Sequence, residues 1–246
     1  MTATEQQTAV DLRLAAEDHF LHGHLLGSWV VDYLDLEESL AVGSVAQEEL
    51  AHAATYLSLS GLDEAGRDDF VYERPVETWH PTRLLSHRLH DWPATVVRGV
   101  LLSHAALLRA EVLCASDSEP LRAAGAVIAA EQQLHVTHWQ RWAGLLSGDR
   151  RTASEFGHRA AVVVPLGRDV FGSVRPVDPA SGRSLHQSWA QRVASAFEDQ
   201  QMVAQALGDE PLTRGAGTDH PELVEVFDDI RGIRLGPDDG VRGLYR

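Results

Sequence analysis

The chain has 246 residues, a formal net charge of −15, thirteen His, one Cys (Cys114) and no Lys, every basic residue being Arg. So acidic a chain lacks the basic footprint that phosphate contacts need, which argues against a nucleic-acid partner. A single cysteine forbids an intramolecular disulfide and leaves a cysteine zinc site short of ligands, and the absence of Lys removes Schiff-base and phosphate-loop lysine chemistry.

Four long stretches carry helical periodicity. The first spans roughly Thr8 to Tyr33, with Leu12, Ala15, Ala16, His19/Phe20, Gly23 and Leu26 at three- and four-residue steps. The second runs from about Leu36 to Ser60, with Glu37 and Glu38 in the first turn and Gly61 as a stop. A long connection follows, holding an acidic segment from Asp63 to Asp69 and a short helix expected over Pro81 to Leu89. The third helix is expected from Pro93 to Ala115 after Asp91, and the fourth from Glu119 to Leu146 with Ser118 at its N-cap. Beyond Asp149 the pattern predicts helices over Ser154–Val164, Ser184–Leu207 and Pro221–Arg231, with loops at Pro165–Gly172 and Arg175–Arg183.

Strand alternation is nearly absent, and a long link between the second and third helices is what a ferritin-like bundle requires. The expected fold is therefore all-α: one ferritin-like four-helix bundle with additional C-terminal helices, in a single domain over 1–246. Its bundle core covers about 8–147 and its C-terminal helical extension about 150–246. No apolar run reaches the roughly 18 residues of a membrane span, and the polar, acidic N-terminus does not read as a signal peptide, so a cytoplasmic protein without a membrane partner is expected.

Chemistry concentrates on the helices. Glu49 and His52 form Glu-x-x-His, which puts a carboxylate and an imidazole on one helix face, the pairing that carboxylate-bridged di-metal bundles use. The fourth helix places Glu131, His135, His138 and Trp142 on one face. The carboxylate expected three residues before His135 is replaced by Gln132, a poor ligand for a hard cation. The alternative there is a buried polar network pairing Glu131 with His135. The first helix offers Glu17, Asp18, His19, His22 and His24, with Glu17 taken as the lone carboxylate ligand. The third offers His104 and Glu111, where Glu111 is either a ligand or a partner of Arg109 or the backbone. The metal candidates are thus Glu17, Glu49, His52, Glu111, Glu131 and His135, as a working or vestigial site. Most other histidines, such as His80, His87, His90, His158 and His186, are expected to face solvent, whereas His24, His52, His104, His135 and His138 should point inward. No nucleophile signature or phosphate loop is present, and Cys114 reads as structural.

Four stretches carry a family resemblance: Gly23–Trp29, Leu36–Ala41 running into Glu48–His52, Glu131–Trp142, and Thr218–Leu223. In this order and spacing the chain resembles the ferritin-like subunits of bacterial phenylacetyl-CoA epoxidase, the multicomponent oxygenase of aerobic phenylacetate degradation, and most the structural C-type subunit. The resemblance implies a non-catalytic subunit, with no cofactor bound, in a hetero-oligomer with a catalytic di-iron subunit that epoxidises a CoA thioester. The chain departs from the scaffold type in keeping Glu49-x-x-His52, and from the catalytic type in having Gln132. Two other readings follow from the residues. One is a self-sufficient di-iron or di-manganese oxygenase using the six candidate ligands; the other is a ferritin-like storage protein, as a homodimer or a shell.

Overall fold

The computed structural model describes residues 3–30, 35–87, 89–174 and 179–235, and these contain helices and no strand. In chain order the helices are α1 (Ala3–Gly27), α2 (Leu36–Leu59), α3 (Glu64–Tyr72), α4 (Arg83–Ser86), α5 (Trp92–Cys114), α6 (Glu119–Gly148), α7 (Ala153–Val163), α8 (Pro179–Ala194), α9 (Gln200–Leu207) and α10 (Pro221–Leu235). Short 3₁₀ turns lie at Ser28–Val30, Val76–Thr78, Val164–Asp169 and Gly217–Asp219.

The four longest helices, α1, α2, α5 and α6, have 23 to 30 residues each. They form two tight pairs, α1 with α2 and α5 with α6, and α2 meets α6 across the centre. All three contacts are antiparallel. Gly23 faces Ala46 and Glu49 while His19 reaches Tyr56, Gly99 faces Trp139 while Ala110 faces Gly125, and Glu48 meets His135 while His52 meets Glu131. Helices α2 and α5 therefore run the same way, so the chain must travel the length of the bundle between them. The connection 60–91 does this, an all-α arrangement consistent with a ferritin-like bundle.

Two glycines set the closeness of the pairs. A Cβ on Gly99 would lie 2.3 Å from the Trp139 ring, and one on Gly23 would lie 2.8 Å from the Ala46 carbonyl oxygen. The helix ends follow local chemistry. The Asp35 side chain accepts from Glu38 N at 2.8 Å, and that of Asp91 from Ala94 N at 2.9 Å. Gly61 takes a φ of +92°, a left-handed conformation that ends α2 at little steric cost. Ser118 occupies the N-cap of α6 but its side chain caps nothing; Pro120 in the first turn lacks the N–H that would have needed a partner.

The connections depart most from the sequence reading. The acidic segment is the start of α3, because Asp63 caps Gly66 N at 2.9 Å and Phe70 and Val71 bury behind it. The helix expected over Pro81–Leu89 shrinks to α4. The Arg98 guanidinium, from α5, donates to the carbonyls of His87 (2.9 Å) and Leu89 (3.4 Å), and the backbone at His87 is extended. The stretch read as one helix over Ser184–Leu207 is two. Phe197 turns inward to stack on Phe156, and Asp199 caps a new helix through Met202 N at 2.9 Å. The helix α8 begins at Pro179, inside the stretch read as loop to Arg183, while the part of that loop at 175–178 lies outside the described residues. The end of the first predicted helix, 31–34, lies outside them too.

One buried apolar cluster runs from Leu12 to Ile230. Trp189 of α8 donates its indole N–H to the Leu101 carbonyl of α5 at 2.9 Å, and Trp79 packs among Phe20, Phe70 and Phe227. The C-terminal helices thus continue the bundle core. Among the described residues no helix is long and apolar enough to cross a membrane.

Candidate functional site

The centre of the bundle is built around Glu49 on α2, which is 2% exposed. Its Oε2 accepts from His19 Nδ1 of α1 at 2.5 Å and lies 3.6 Å from His22 Nδ1. Its Oε1 accepts from Gln132 Nε2 at 2.8 Å and from His135 Nδ1 at 3.1 Å, both on α6. One helical turn on, His52 donates from Nε2 to Glu131 at 2.6 Å, and its Nδ1 accepts from Gln132 Nε2 at 3.2 Å. His135 Nε2 donates to Glu48 at 2.6 Å. The His19 ring stacks on Tyr56 and meets the His52 ring edge-on. Spacing explains each pair: 19 and 22, 49 and 52, and 132 and 135 are three residues apart and so share a face. The close α1–α2 approach at Gly23 then brings two of these faces together.

Electrostatics divide the histidines. Burial by itself pushes the Glu49 carboxyl up, but the charge of His19 and the hydrogen bonds from His135, His19 and His22 outweigh it and hold Glu49 well below the usual carboxylate range. Burial and the neighbouring His19 charge push His52 down, against the opposing pull of Glu49 and Glu131. Burial pushes His135 down as well, but hydrogen bonds and charge from Glu49 and Glu48 win and raise it. Both of its ring nitrogens face carboxylate oxygens, which only the doubly protonated imidazole satisfies. The inner Nδ1 of His52, by contrast, carries a lone pair. Four buried polar atoms in the centre have no hydrogen-bond partner: His19 Nε2, His22 Nε2, Gln132 Oε1 and the Tyr56 hydroxyl.

Of the sequence-selected residues, the structure brings Glu49, His52, Glu131 and His135 together and places Glu17 and Glu111 elsewhere. Glu17 is buried, but it pairs with the Arg74 guanidinium and accepts from His80 N at 2.6 Å. Glu111 lies on the surface, where both its oxygens accept from Arg192 at 2.8 and 2.9 Å. Arg109 instead meets Asp18 at 3.1 Å and donates to the Val170 carbonyl. A buried network on α6 exists, but Glu131 serves His52 and His135 turns to Glu48 and Glu49. The position facing Glu49 from α1 belongs to His19, with His22 one turn on. The signal was present, since His19 lies on the apolar stripe of the first helix and Glu17 does not. Of the inward set, His52, His104 and His135 are buried and His24 and His138 are half-buried. His104 donates from Nδ1 to the Val100 carbonyl at 2.8 Å. His186, expected in solvent, is fully buried, its Nε2 within 3.2 Å of the Leu207 and Gly208 carbonyls that end α9. Cys114 is half-buried.

Beside the centre lies a second polar cluster that ties α1 to the C-terminal region. Asp18 pairs with Arg214 through two contacts, at 2.8 and 2.7 Å, and accepts from Thr82 N at 3.1 Å. Arg214 also donates to the carbonyls of Asp169, His80 and Val170. The Asp169 carboxylate accepts from Thr82 Oγ1 at 2.6 Å and from Arg83 N. With Glu17 and Arg74, the cluster holds three acids against Arg74, Arg109 and Arg214, so it neutralises itself and reads as structural.

Long helices paired antiparallel around an inward-facing Glu-x-x-His define the class of carboxylate–histidine helical bundles. The particular family follows from comparison: the family model described as Phenylacetic acid catabolic protein matches residues 1–202, and the chain belongs to that family. No curated protein matches it.

Proposed function

We propose that the chain is a structural, scaffold-type subunit of a multicomponent phenylacetyl-CoA-epoxidase-like oxygenase, similar to the C-type subunit and paired with a catalytic subunit that carries the oxygen chemistry. Membership of the phenylacetic acid catabolic family gives the pathway. The single observation that carries the role is the composition of the bundle centre. Glu49 is the one carboxylate there, among the described residues, that is fully buried; Glu48 and Glu131 sit at the margin with side chains 38% exposed.

A di-iron centre does not fit this donor set. Two ferrous ions bring four positive charges, and Glu49 with neutral imidazoles would leave most of them uncompensated in an interior where an unpaired charge costs several kcal/mol. Gln132 adds no charge. Glu17 is occupied by Arg74 and Glu111 by Arg192, so the six-ligand set of a self-sufficient oxygenase is dispersed over three places. Glu49 and His52 are hydrogen-bonded across α1, α2 and α6, which ties the three helices together. Apolar side chains left exposed on α2 (Leu36, Leu40) and α6 (Val127, Leu134) offer surface for a partner.

The test is co-expression with a catalytic di-iron subunit of the same family, followed by sizing. A stable hetero-oligomer that elutes ahead of either chain alone is expected. A chain that stays folded and never associates contradicts the proposal.

A further inference from the structure

The centre that fails as a di-iron site has the composition of a different one. We infer that His19, Glu49 and His52, with His22 beside them, form a mononuclear site for one divalent transition ion of the imidazole-preferring class, such as Zn²⁺. This inference does not rest on the scaffold role, since a structural subunit and an enzyme alike can hold one such ion.

Four observations carry it. His19, Glu49 and His52 are all buried, and each offers a ligand atom within 4.8 Å of the other two. His22 adds a ring nitrogen 3.6 Å from the same Glu49 oxygen that His19 meets. Three His and one carboxylate match the donors and the four-coordinate number that Zn²⁺ prefers, and neutral imidazoles suit borderline cations where hard ones demand oxygen. One carboxylate against one divalent ion leaves a single net charge to be met from the margin, where Glu131 and Glu48 stand, whereas two ions leave three.

The second observation is the outer layer. His52 gives its Nε2–H to Glu131 at 2.6 Å. That fixes the tautomer with the Nδ1 lone pair facing the centre, where it accepts from Gln132 Nε2 at 3.2 Å and an ion would take that donor's place; this is the carboxylate–histidine arrangement that orients metal-ligating imidazoles. The third is the unmet polarity: His19 Nε2, His22 Nε2, Gln132 Oε1 and the Tyr56 hydroxyl are buried without partners, in residues 0 to 3% exposed. Buried polar atoms are nearly always satisfied, so four orphans in one cluster mark a missing partner. The fourth is the reach of the cluster. His19 and His22 come from one helix, and Glu49 and His52 from another packed closely against it, so an ion would crosslink the α1–α2 pair.

The test is titration of the full chain, stripped with chelator and dialysed, with Co²⁺ as a spectroscopic probe for Zn²⁺. The visible ligand-field absorption reports coordination and near-ultraviolet circular dichroism reports fold. Saturation at one equivalent per chain is expected, with displacement by Zn²⁺ and a rise in thermal midpoint on binding. His19→Ala and His52→Ala should each remove the absorption. Glu131→Gln, which touches only the outer nitrogen of His52, should weaken binding about 10- to 100-fold, a change that a mere packing role would not produce. Glu111→Gln should bind as wild type. No absorption with the folded wild-type chain, saturation at two equivalents, or binding unchanged in His19→Ala and His52→Ala would each overturn the inference. So would binding that depends on Glu111. If the folded histidine variants cannot be obtained, the wild-type stoichiometry and Glu131→Gln still decide. Association with a catalytic subunit is measured separately, so the two proposals fail independently.

Discussion

Replacing Arg214 with Met should be among the most damaging single changes in the molecule. Arg214 is 5% exposed, and its guanidinium makes two contacts to Asp18 and one to each of three backbone carbonyls. Met fills similar volume without donors. Asp18 would keep Arg109 at 3.1 Å and Thr82 N at 3.1 Å, but the self-neutralised cluster would gain an uncompensated negative charge in the interior. Breaking a buried pair in this way costs about 3–5 kcal/mol. For a chain of this size, with roughly 2–4 °C per kcal/mol, the thermal midpoint should fall by roughly 6–20 °C. Circular dichroism melts and urea titration measure both quantities. Adding Asp18→Asn to the variant removes the stranded charge, so the double variant should be more stable than the sum of the singles by over about 1 kcal/mol. A single variant within about 1 kcal/mol of wild type, or strict additivity, would refute the reading of this cluster as a charge-coupled tie between α1 and the C-terminal region.

Further outcomes follow from other contacts. The Asp18 carboxyl is held below its ordinary 3.8, because the attraction of Arg214 and Arg109 exceeds the upward push of burial. Its contribution to stability is therefore present above pH 3.8 and lost as the pH falls through the depressed folded value, so the stability gap between wild type and Asp18→Asn should narrow in acid. Burial lowers His186 from 6.5, against the hydrogen bonds to Gly208 and Leu207, so the unfolded chain takes up a proton there that the folded one refuses. Stability should fall as the pH drops below 6.5, and His186→Phe should flatten that part of a melting-temperature profile; an unchanged slope would count against it. Gly99→Ala places a Cβ 2.3 Å from the Trp139 ring and should cost about 1–3 kcal/mol by denaturant titration, with a change in indole fluorescence.

How far the sequence could be read depended on the range of each interaction. The long helices were legible because their signals are local: the Asp35 and Asp91 caps, Gly61, and the three- and four-residue apolar steps. Glu49-x-x-His52 was legible for the same reason, since one helix turn fixes the shared face. The break at Phe197 and the helix after Asp63 were missed although both carry an Asp N-cap, because the acidic or continuous pattern around them hid the cap. Tertiary contacts, not local pattern, set Glu17 and Glu111 apart from the centre. The partner of Glu111 is Arg192, and that of Asp18 is Arg214, 196 residues away, and nothing local announces either pairing. His19 is legible locally, because its register on the apolar stripe points it at α2, a periodic signal that Glu17 lacks although its carboxylate is the better ligand for a hard cation.

The proposed scaffold role requires that this bundle build no self-sufficient di-iron centre. Anaerobic loading of the full chain with ferrous iron, followed by iron quantification and Mössbauer spectroscopy after exposure to oxygen, tests it most directly. At most one iron per chain and no exchange-coupled ferric pair are expected. Two irons per chain with a coupled spectrum, lost on Glu49→Ala, would contradict it.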